Sequence, residues 1–392
     1  MGCQTYESIN TIIMKKNYHK VKISTALVML FFSSLMIGLA QKTRPAHIGF
    51  IYPISTNGLS APNVTNNFSL HALGGLSAGE KGLGIYGLAG MVQGDANGLQ
   101  VAGLWSKVKG DVEGLQVAGL MNEAANAQQA VQIAGIVNLL EMDAPVQVAG
   151  IFNKARHVQG FQSAGIFNLS KSAKGAQIAG IANLTKSVDG IQIAGIVNEV
   201  DSVEGVQIAG IVNRAKKVNG VQIAGIVNIA ESSDYPIGII NLIRDGEIRL
   251  GLYADENLTS MITLKSGGKK LYGIVGLGSN LQYQELPYAV EAGIGLKVVD
   301  GSHFRLDVEG TNLFMTNFKR KGEYSRSGLK VLPALVLSNK VEIFAGPSIN
   351  YMHTKYAIGD ELAGMSLWNR ERKNVYKAIH LGLSAGINLR IN

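Results

Sequence analysis

The middle of the chain repeats one pattern of apolar and polar residues every 15 or 16 positions. The unit is clearest in VQIAGIVNRAKKVNG at residues 206–220, whose first eight residues recur at 221–228. Each unit is rich in β-branched residues, which favour strands over helices. A polar stretch that ends in Asn-Gly, a turn signal, closes this unit. The pattern therefore predicts extended strand and a turn in every unit.

Glycine, glutamine and asparagine recur at fixed positions of the unit. The central glycines run from Gly87 to Gly225, spaced 16 residues apart three times and then 15 apart six times. A Gln stands three residues before most of them, and an Asn stands three residues after. The candidate structural ladder residues are Gln132, Gln147, Gln162, Gln177, Gln192, Gln207, Gln222, Asn138, Asn153, Asn168, Asn183, Asn198, Asn213 and Asn228.

Two all-β architectures fit this repeat. In a β-solenoid each unit is one coil, identical residues stack about 4.8 Å apart, and the amides hydrogen-bond along the axis as in other cross-β stacks. In the alternative, each unit is one strand of a large membrane barrel. The identical turns of successive units favour the solenoid, because the two ends of a membrane barrel carry different turns.

Side chains of a unit that forms one extended strand alternate between two faces. The first predicted face carries Val206, Ile208, Gly210 and Val212, and the second carries Gln207, Ala209, Ile211 and Asn213. Charges in the turns change sign between neighbouring units, as in Glu199, Asp201 and Glu204 followed by Arg214, Lys216 and Lys217. We interpret these charges as a solvated edge with ion pairs between coils, worth ~0.5 kcal/mol or less each, rather than as a ligand site.

After about Arg249 the apolar positions alternate strictly with small or polar ones. Leu381, Leu383 and Ala385 share one face of the last segment, for example, while Gly382 and Ser384 share the other. Predicted strands begin near Ile248, Thr259, Leu271, Tyr288, His303, Leu329, Val341 and Ala378. The segments from Lys319 to Ser327 and from Lys355 to Lys377 are predicted external loops.

This alternation is typical of an outer-membrane barrel, with lipid outside and a narrow polar lumen inside. A soluble sandwich also alternates, but its strands are usually about 5–6 residues long, and the longest of these run to about ten, the length that a membrane strand needs. The predicted lumen charges are Arg305, Asp307, Glu309, Glu291 and Lys297. We expect them to pair across the lumen as a structural plug rather than to act as catalytic carboxylates.

The N-terminal segment has the pattern of a secretory signal peptide. Lys15, Lys16, Lys20 and Lys22 precede an apolar stretch from about Ala26 to Ala40, and a small residue precedes the expected cleavage before Gln41. The predicted organisation is a signal peptide over 1–40, an N-terminal segment over 41–83, a repeat β domain over 84–247 and an outer-membrane-type barrel over 248–392.

Composition excludes several classes of protein. Only 16% of residues are charged, below the ~25% of soluble domains, and a single Cys excludes a disulfide scaffold. The net charge of +8 falls to +5 without residues 1–40, which carry four Lys and one Glu, and no basic stripe predicts nucleic-acid binding. The seven His show no metal-ligand spacing. We therefore predict no enzyme activity, no catalytic residue, no cofactor and no metal.

The repeats VQIAGIVN, the segment PIGIINLIRDGEIRLGLYADENLTSMITLKSG at 236–267 and the strand EIFAGPSINYM resemble uncharacterised envelope proteins of Bacteroidota. The repeat is similar to that of surface-repeat proteins of Leptospira. The resemblance covers roughly residues 70–392 and implies a place at the surface or in the outer membrane. It implies no specific activity.

The sequence predicts a non-catalytic structural or interaction protein of the outer membrane or cell surface. In this hypothesis a C-terminal barrel of about eight strands anchors a β-solenoid that is presented to a partner. The expected partners are outer-membrane lipid and an envelope protein or glycan, with no nucleic acid. The alternative is a porin-like pore, in which the repeats and the C-terminal strands close one large barrel.

Overall fold

The computed structural model describes residues 42–283, 285–319, 324–355, 359–372 and 375–391. Over these residues the chain is nearly all β, with a solenoid of stacked parallel strands followed by a closed antiparallel barrel of eight strands. The predicted fold class is confirmed. The predicted signal peptide lies outside the described residues. No helix in the described ranges combines the length and the apolar character needed to cross a membrane.

The solenoid contains 21 strands. They are β1 (Lys42–Ile51), β2 (Ile54–Ser55), β3 (Val64–Ser77), β4 (Gly79–Tyr86), β5 (Ala89–Val92), β6 (Ala96–Ala102), β7 (Trp105–Ala118), β8 (Met121–Ala134), β9 (Val137–Leu140), β10 (Asp143–Ala149), β11 (Phe152–Lys154), β12 (His157–Ala164), β13 (Phe167–Leu169), β14 (Ser172–Ala179), β15 (Ala182–Ala194), β16 (Val197–Ala209), β17 (Val212–Arg214), β18 (Lys217–Ala224), β19 (Val227–Ala230), β20 (Ser232–Ile237) and β21 (Ile240–Ile243).

The solenoid strands pair in parallel with the equivalent strands of neighbouring coils, except for the two-residue strand β2, which pairs antiparallel with β1. β14 and β15 align Gln177 with Gln192, and β15 and β16 align Gln192 with Gln207. The partners lie 15 positions apart, so that one coil corresponds to one sequence repeat. This register contradicts the alternative of one large barrel, because neighbouring strands of a membrane barrel run antiparallel.

Each coil from Gly87 onward bends at its central glycine and at the residue that follows. In the unit at 206–220, Gly210 and Ile211 separate β16 from β17. A Cβ at Gly210 would overlap the carbonyl oxygen of Gly195 in the preceding coil, and so only glycine allows the coils to stack this closely. Because the corner interrupts the alternation, Ile211 is 39% exposed. Its predicted placement on the face of Gln207 is wrong.

The interior of each coil is narrow and holds amides with small side chains. Gln207 and Asn213 are fully buried, and Ala209, Ala215 and Val218 share the interior with them. The larger aliphatic side chains of the unit lie on the outer surface, at least partly exposed. The solenoid therefore places polar groups inside and apolar groups outside.

Residues 41–83, which we predicted to be a separate segment, enter the same stack from residue 42 onward. β1 pairs in parallel with β3, and β3 pairs with β4 and β5. A 3-10 helix at Gly58–Asn63 lies between β2 and β3. The solenoid accordingly spans residues 42–243, and its first coils lack the paired Gln and Asn that mark the later repeats.

The second sheet contains nine strands and comes directly after the solenoid along the chain. They are β22 (Glu247–Asp255), β23 (Thr259–Gly267), β24 (Leu271–Asn280), β25 (Tyr288–Asp300), β26 (Phe304–Thr316), β27 (Tyr324–Val336), β28 (Val341–Thr354), β29 (Ser366–Arg372) and β30 (Val375–Arg390), with helix α1 (Gly359–Ala363) before β29.

Eight of these strands close a barrel. Neighbours from β22 to β28 pair antiparallel, β28 pairs with β30, and β30 pairs back with β22, aligning Leu252 with Ile387. Among the described strands, β29 pairs only with β30, and the two form an extra hairpin at the rim.

The strand boundaries differ from prediction in two places. β27 begins at Tyr324, whereas we predicted a start near Leu329 and a loop to Ser327, and β30 begins at Val375 rather than near Ala378. β29 also lies inside the predicted second loop. These extensions are polar, and strand pairing rather than apolar character holds them, as in the alignment of Arg326 with Met352.

The polarity of the barrel is inverted relative to a soluble protein. Aliphatic side chains on the outer wall are strongly exposed, including Leu252 (58%), Ile262 (57%) and Leu277 (65%). Charged side chains such as Arg249 and Glu309 are each 2% exposed, inside the barrel. Apolar side chains thus surround a polar interior.

The last coil of the solenoid packs on the outer wall of β23 and β24. Ser266 and Gly273 are neighbours across these two strands, on the outward side, yet both are buried. The backbone N–H of Asn241 donates to Ser266 Oγ (2.9 Å), and Asn241 Nδ2 donates to the Ser266 carbonyl (3.0 Å). The hairpin of the barrel therefore caps the C-terminal end of the solenoid.

Candidate functional site: amide ladders and a filled lumen

Asparagines form a continuous hydrogen-bonded ladder through the solenoid. Each amide nitrogen donates to the side-chain oxygen of the Asn in the next coil, as from Asn183 to Asn198 (2.9 Å) and from Asn198 to Asn213 (3.0 Å). The same nitrogen also donates to a backbone carbonyl, which for Asn198 is that of Ile208 (2.6 Å). All seven predicted Asn residues belong to this ladder.

Glutamines form a second ladder that donates in the opposite direction along the axis. Gln207 Nε2 donates to Gln192 Oε1 (3.0 Å), and Gln222 donates to Gln207 (2.9 Å). The structure brings all seven predicted Gln residues together in this ladder. Because every rung is fully buried, these bonds stay out of competition with water.

Both ladders extend further than the candidate residues. Gln116 accepts from Gln132 (2.7 Å), and Asn122 donates to Asn138 (2.9 Å). At the other end, Asn228 donates to Asn241 (2.8 Å), which reaches the barrel. Gln116 and Asn122 share the repeat spacing and could be found from it, whereas Asn241 follows a shortened last unit. The Asn ladder therefore extends to the barrel wall, whereas the Gln ladder ends at Gln222, which is aligned with Pro236 in the last coil.

We expect the Asn ladder to stabilise the solenoid measurably. Replacing Asn198 by Leu leaves the Asn183 donor, the Asn213 acceptor and the Ile208 carbonyl without their partner, and an unsatisfied buried polar group costs about 1–3 kcal/mol. Lys216→Glu, at an exposed charge, should change stability little. When denaturant unfolding of the full chain is monitored by proteolysis, the free energies of unfolding of the two variants should differ by more than about 1 kcal/mol. Equal tolerance would contradict a buried ladder.

Neighbouring coils also pair charges along one exposed edge. Lys216 Nζ lies 2.8 Å from Asp201 and Arg214 lies 3.6 Å from Glu199. These are the pairs that the alternating turn charges predict. The hydrogen bond with Lys216 lowers the pKa of Asp201, and the same bond raises the pKa of Lys216. A shallow groove follows this edge, and its charges are largely compensated by one another.

The barrel lumen is filled by paired charges. Among the described residues of the barrel, six acidic and six basic side chains have less than a tenth of their surface exposed, and so the interior is neutral overall: Glu247, Asp255, Glu291, Asp307, Glu309, Glu342, Arg249, Lys265, Lys297, Arg305, Arg326 and Lys330. All five lumen charges expected from sequence are among them. Their partners come from distant strands, which period-two alternation alone does not identify.

The closest pairs cross the lumen at several heights. Lys265 Nζ contacts Glu309 and Lys330 Nζ contacts Glu291, each at 2.6 Å. Tyr253 completes a triangle with the second pair, because its hydroxyl donates to Glu291 (2.7 Å) and accepts from Lys330 (2.9 Å). Such closed, mutually satisfied groups fit the structural plug that we predicted.

Near the solenoid, an arginine network fills the same lumen. Arg249 Nη1 contacts Asp307 (2.8 Å) and Glu342 (2.7 Å). Arg305 contacts Glu342 (3.1 Å) and Glu247 (3.0 Å). Each carboxylate therefore touches more than one cation or hydroxyl, since Tyr272 also donates to Asp307 (3.0 Å). This connectivity fixes the strands relative to one another.

The opposite end of the lumen is closed by apolar side chains. Leu286, Met315, Met352 and Leu362 are buried together there. Leu362 belongs to α1, and its carbonyl accepts a hydrogen bond from Asn257 Nδ2 (3.0 Å). The short helix therefore acts as a lid on the barrel.

A buried polar cluster lies in the first coils of the solenoid. The rings of His47 and His71 meet edge to face, 4.3 Å between centroids, and Tyr86 stacks on His71 at 5.6 Å. Glu80 accepts hydrogen bonds from Ser69 (2.8 Å) and Tyr86 (3.2 Å). Burial, together with the neighbouring His71 and Arg44, lowers the pKa of His47 to about 4. Burial also lowers the pKa of His71 and raises that of Glu80.

The histidine pair makes the first coils sensitive to acid. Because the folded pKa of His47 lies below its ordinary value of 6.5, the unfolded chain binds more protons, and stability falls as pH drops from about 6.5 to about 4. The raised pKa of Glu80 acts in the opposite sense. Thermal unfolding at pH 7 and pH 4.5 should show a smaller pH dependence in His47→Gln than in the parent. His303→Gln, at an exposed turn, is the matched control; identical pH dependence in all three proteins would contradict the prediction.

A basic groove lies at the rim farthest from the solenoid, between β28, β29 and β30. Its volume is about 850 Å³, and it is lined by Tyr351, His353, Lys355, Trp368, Arg370, Arg372, Val375 and Lys377. None of these lining residues is acidic. Aromatic residues beside cations are typical of the interfacial region of a membrane protein.

Within the described ranges, no group of three or more His, Cys, Asp or Glu side chains is placed to hold a metal ion. The prominent polar constellations are instead the two ladders, the lumen charges and the first-coil cluster. Comparisons of the chain with protein-family models, with curated protein sequences and with solved structures find no match.

Proposed function

We propose that the protein is a non-catalytic structural or interaction protein that its barrel anchors in the outer membrane. The observation that carries this proposal is the inverted polarity of the barrel. Monomeric soluble proteins rarely expose contiguous apolar patches larger than a few hundred Å², whereas the outer wall here is aliphatic around the barrel. Outer-membrane lipid is the partner that such a wall fits.

The filled lumen supports an anchor rather than a pore. An eight-stranded barrel has an interior just wide enough for side chains to fill. Here paired charges occupy one part, and Met315, Met352 and Leu362 close the other. The solenoid then serves as the structural or interaction module that we propose is presented to an envelope protein or glycan.

Loop lengths support a periplasmic solenoid. At the solenoid end, the barrel strands are joined by the short segments 268–270, 301–303 and 337–340. At the opposite end they are joined by 256–258, 281–287, 317–323 and 355–374. Outer-membrane barrels have short periplasmic turns and longer extracellular loops. We therefore propose that the solenoid lies on the periplasmic side of the outer membrane rather than on the cell surface.

Cysteine labelling in intact cells tests the anchor and its orientation together. Cys3, the one cysteine of the chain, falls in the predicted signal peptide, and so each variant presents a single thiol. We expect Lys319→Cys, in a long loop, to react with a membrane-impermeant maleimide in intact cells. Ser302→Cys, in a short turn, should react only after the outer membrane is permeabilised.

The matched pair separates the possible failures. Both positions are exposed in the structure, so that a difference in reactivity reports the membrane rather than burial. If Ser302→Cys alone reacted in intact cells, the barrel would have the opposite orientation in the membrane, with its short turns outside the cell. Recovery of the mature chain in the soluble periplasmic fraction would refute the anchor.

A further inference from the structure

A row of exposed aliphatic side chains runs along one corner of the solenoid. Each member directly follows a glycine, which is a central glycine of the repeat in all but the last case, and each is between 37% and 50% exposed. We name this row the corner ladder: Leu88, Leu104, Leu120, Ile136, Ile151, Ile166, Ile181, Ile196, Ile211, Ile226 and Ile239. At about 4.8 Å per coil it extends for roughly 50 Å. An apolar row of this length marks an interaction surface.

The charged residues of the coils lie at a different corner. In the unit at 206–220, Ile211 belongs to the corner ladder, whereas Lys216 lies at the turn that pairs with Asp201 of the preceding coil. Lys216 has 64% of its side chain exposed. The solenoid is therefore amphipathic along its length, with one aliphatic corner and one charged corner.

The contact with the barrel shows which corner of the last coil lies nearer the barrel rim. The Ser233 carbonyl lies against Gly268, in a short turn at the rim of the barrel. The Gly238 carbonyl lies against Gly273, which is five residues further along the chain and inside β24. Ile239, the last member of the corner ladder, follows Gly238 directly. The aliphatic corner thus lies further from the rim than the start of β20.

Beyond Gly273, the outer wall of the barrel is apolar. The next outward residues of β24 are Val275 and Leu277, and Leu277 is 65% exposed. The corner ladder is therefore continuous with the wall that the proposed function assigns to lipid. Because the coils stack on outward-facing Ser266 and Gly273, the solenoid leaves the barrel sideways, in the direction in which a membrane surface extends.

We propose that the corner ladder is a lipid-contacting surface. The solenoid lies along the membrane, its aliphatic corner inserted among the phospholipid acyl chains of the leaflet on the short-turn side and its charged corner turned to the aqueous phase. This inference rests on the proposed membrane anchor and adds a second membrane-binding element to it. It also gives a physical reason for the recurrence of aliphatic residues at an exposed position.

Site-directed fluorescence in proteoliposomes tests this surface. The full mature chain is labelled with an environment-sensitive NBD fluorophore at Ile196→Cys in the corner ladder, Lys216→Cys at the charged corner, or Leu277→Cys on the barrel wall. Vesicles of phosphatidylethanolamine and phosphatidylglycerol contain doxyl-labelled phospholipid as a quencher. We expect blue-shifted emission and loss of most of the signal at Ile196→Cys and Leu277→Cys, and neither effect at Lys216→Cys.

Each alternative result overturns a different statement. Quenching at Leu277→Cys without quenching at Ile196→Cys would refute the lipid-contacting ladder and leave the barrel anchor intact. Absence of quenching at both positions would refute the anchor itself. A blue shift at Ile196→Cys without lipid quenching would show that a second copy covers the ladder, and would likewise overturn the proposal.

Discussion

Replacing Lys330 by Met should destabilise the barrel by about 3–5 kcal/mol, because loss of one partner leaves an uncompensated buried charge. Lys330 lies 2.6 Å from Glu291, and their side chains are 4% and 1% exposed. In the variant, Glu291 keeps only the Tyr253 hydroxyl as a hydrogen-bond donor. Urea unfolding of the full chain in detergent micelles measures the loss.

A second substitution separates charge from packing. Glu291→Gln in the Lys330→Met background removes the stranded charge, and so most of the lost stability should return. Lys340→Met, at an exposed turn, should have little effect. Failure of the double variant to recover would show that the unpaired charge of Glu291 is not the cause of the loss.

Replacing Gly195 by Val should be the most damaging single change in the solenoid. A Cβ at this position would overlap the carbonyl oxygen of Gly180 in the preceding coil. Neighbouring coils must then separate, which weakens the backbone bonds from Gly195 to Ala179 (3.1 Å) and from Ile196 to Ile181 (3.0 Å). Overpacking costs typically 1–3 kcal/mol and occasionally more, and we expect a loss of about 3 kcal/mol, with new protease cleavage in this coil.

Asn219→Val is the matched control for this substitution. It adds the same β-branched side chain at an exposed position of a neighbouring unit. Strands accept valine well, so that the proteolysis pattern should match that of the parent. Equal damage from both variants would indicate that the solenoid rejects valine generally, and not that the glycine stack is sterically closed.

The solenoid could be predicted from the sequence because a stack of coils aligns identical residues. Once Gln192 and Gln207 are one coil apart, a parallel register is the arrangement that lets their amides meet repeatedly. The corner at Gly210 and Ile211 could not be predicted from the alternation of apolar and polar residues, since a period of two assumes one uninterrupted strand. The first coils were missed for a related reason, because their buried histidines replace the amide pattern.

The barrel shows a different limit. Alternation predicted which of its residues face inward, including Asp307 and Glu309. It did not identify their partners Arg249 and Lys265, which are 58 and 44 positions away in sequence. Which inward side chains meet depends on the tilt and stagger of the strands, and these follow from closure of the whole sheet rather than from any one segment.

Conductance in planar bilayers tests most directly the claim that the barrel is a closed anchor for the solenoid. The full chain is added after its insertion has been established by protection of the barrel from protease. We predict no steady stepwise current, because paired charges and the apolar lid under α1 fill the lumen. A large, steady, porin-like current from the inserted protein would contradict the account.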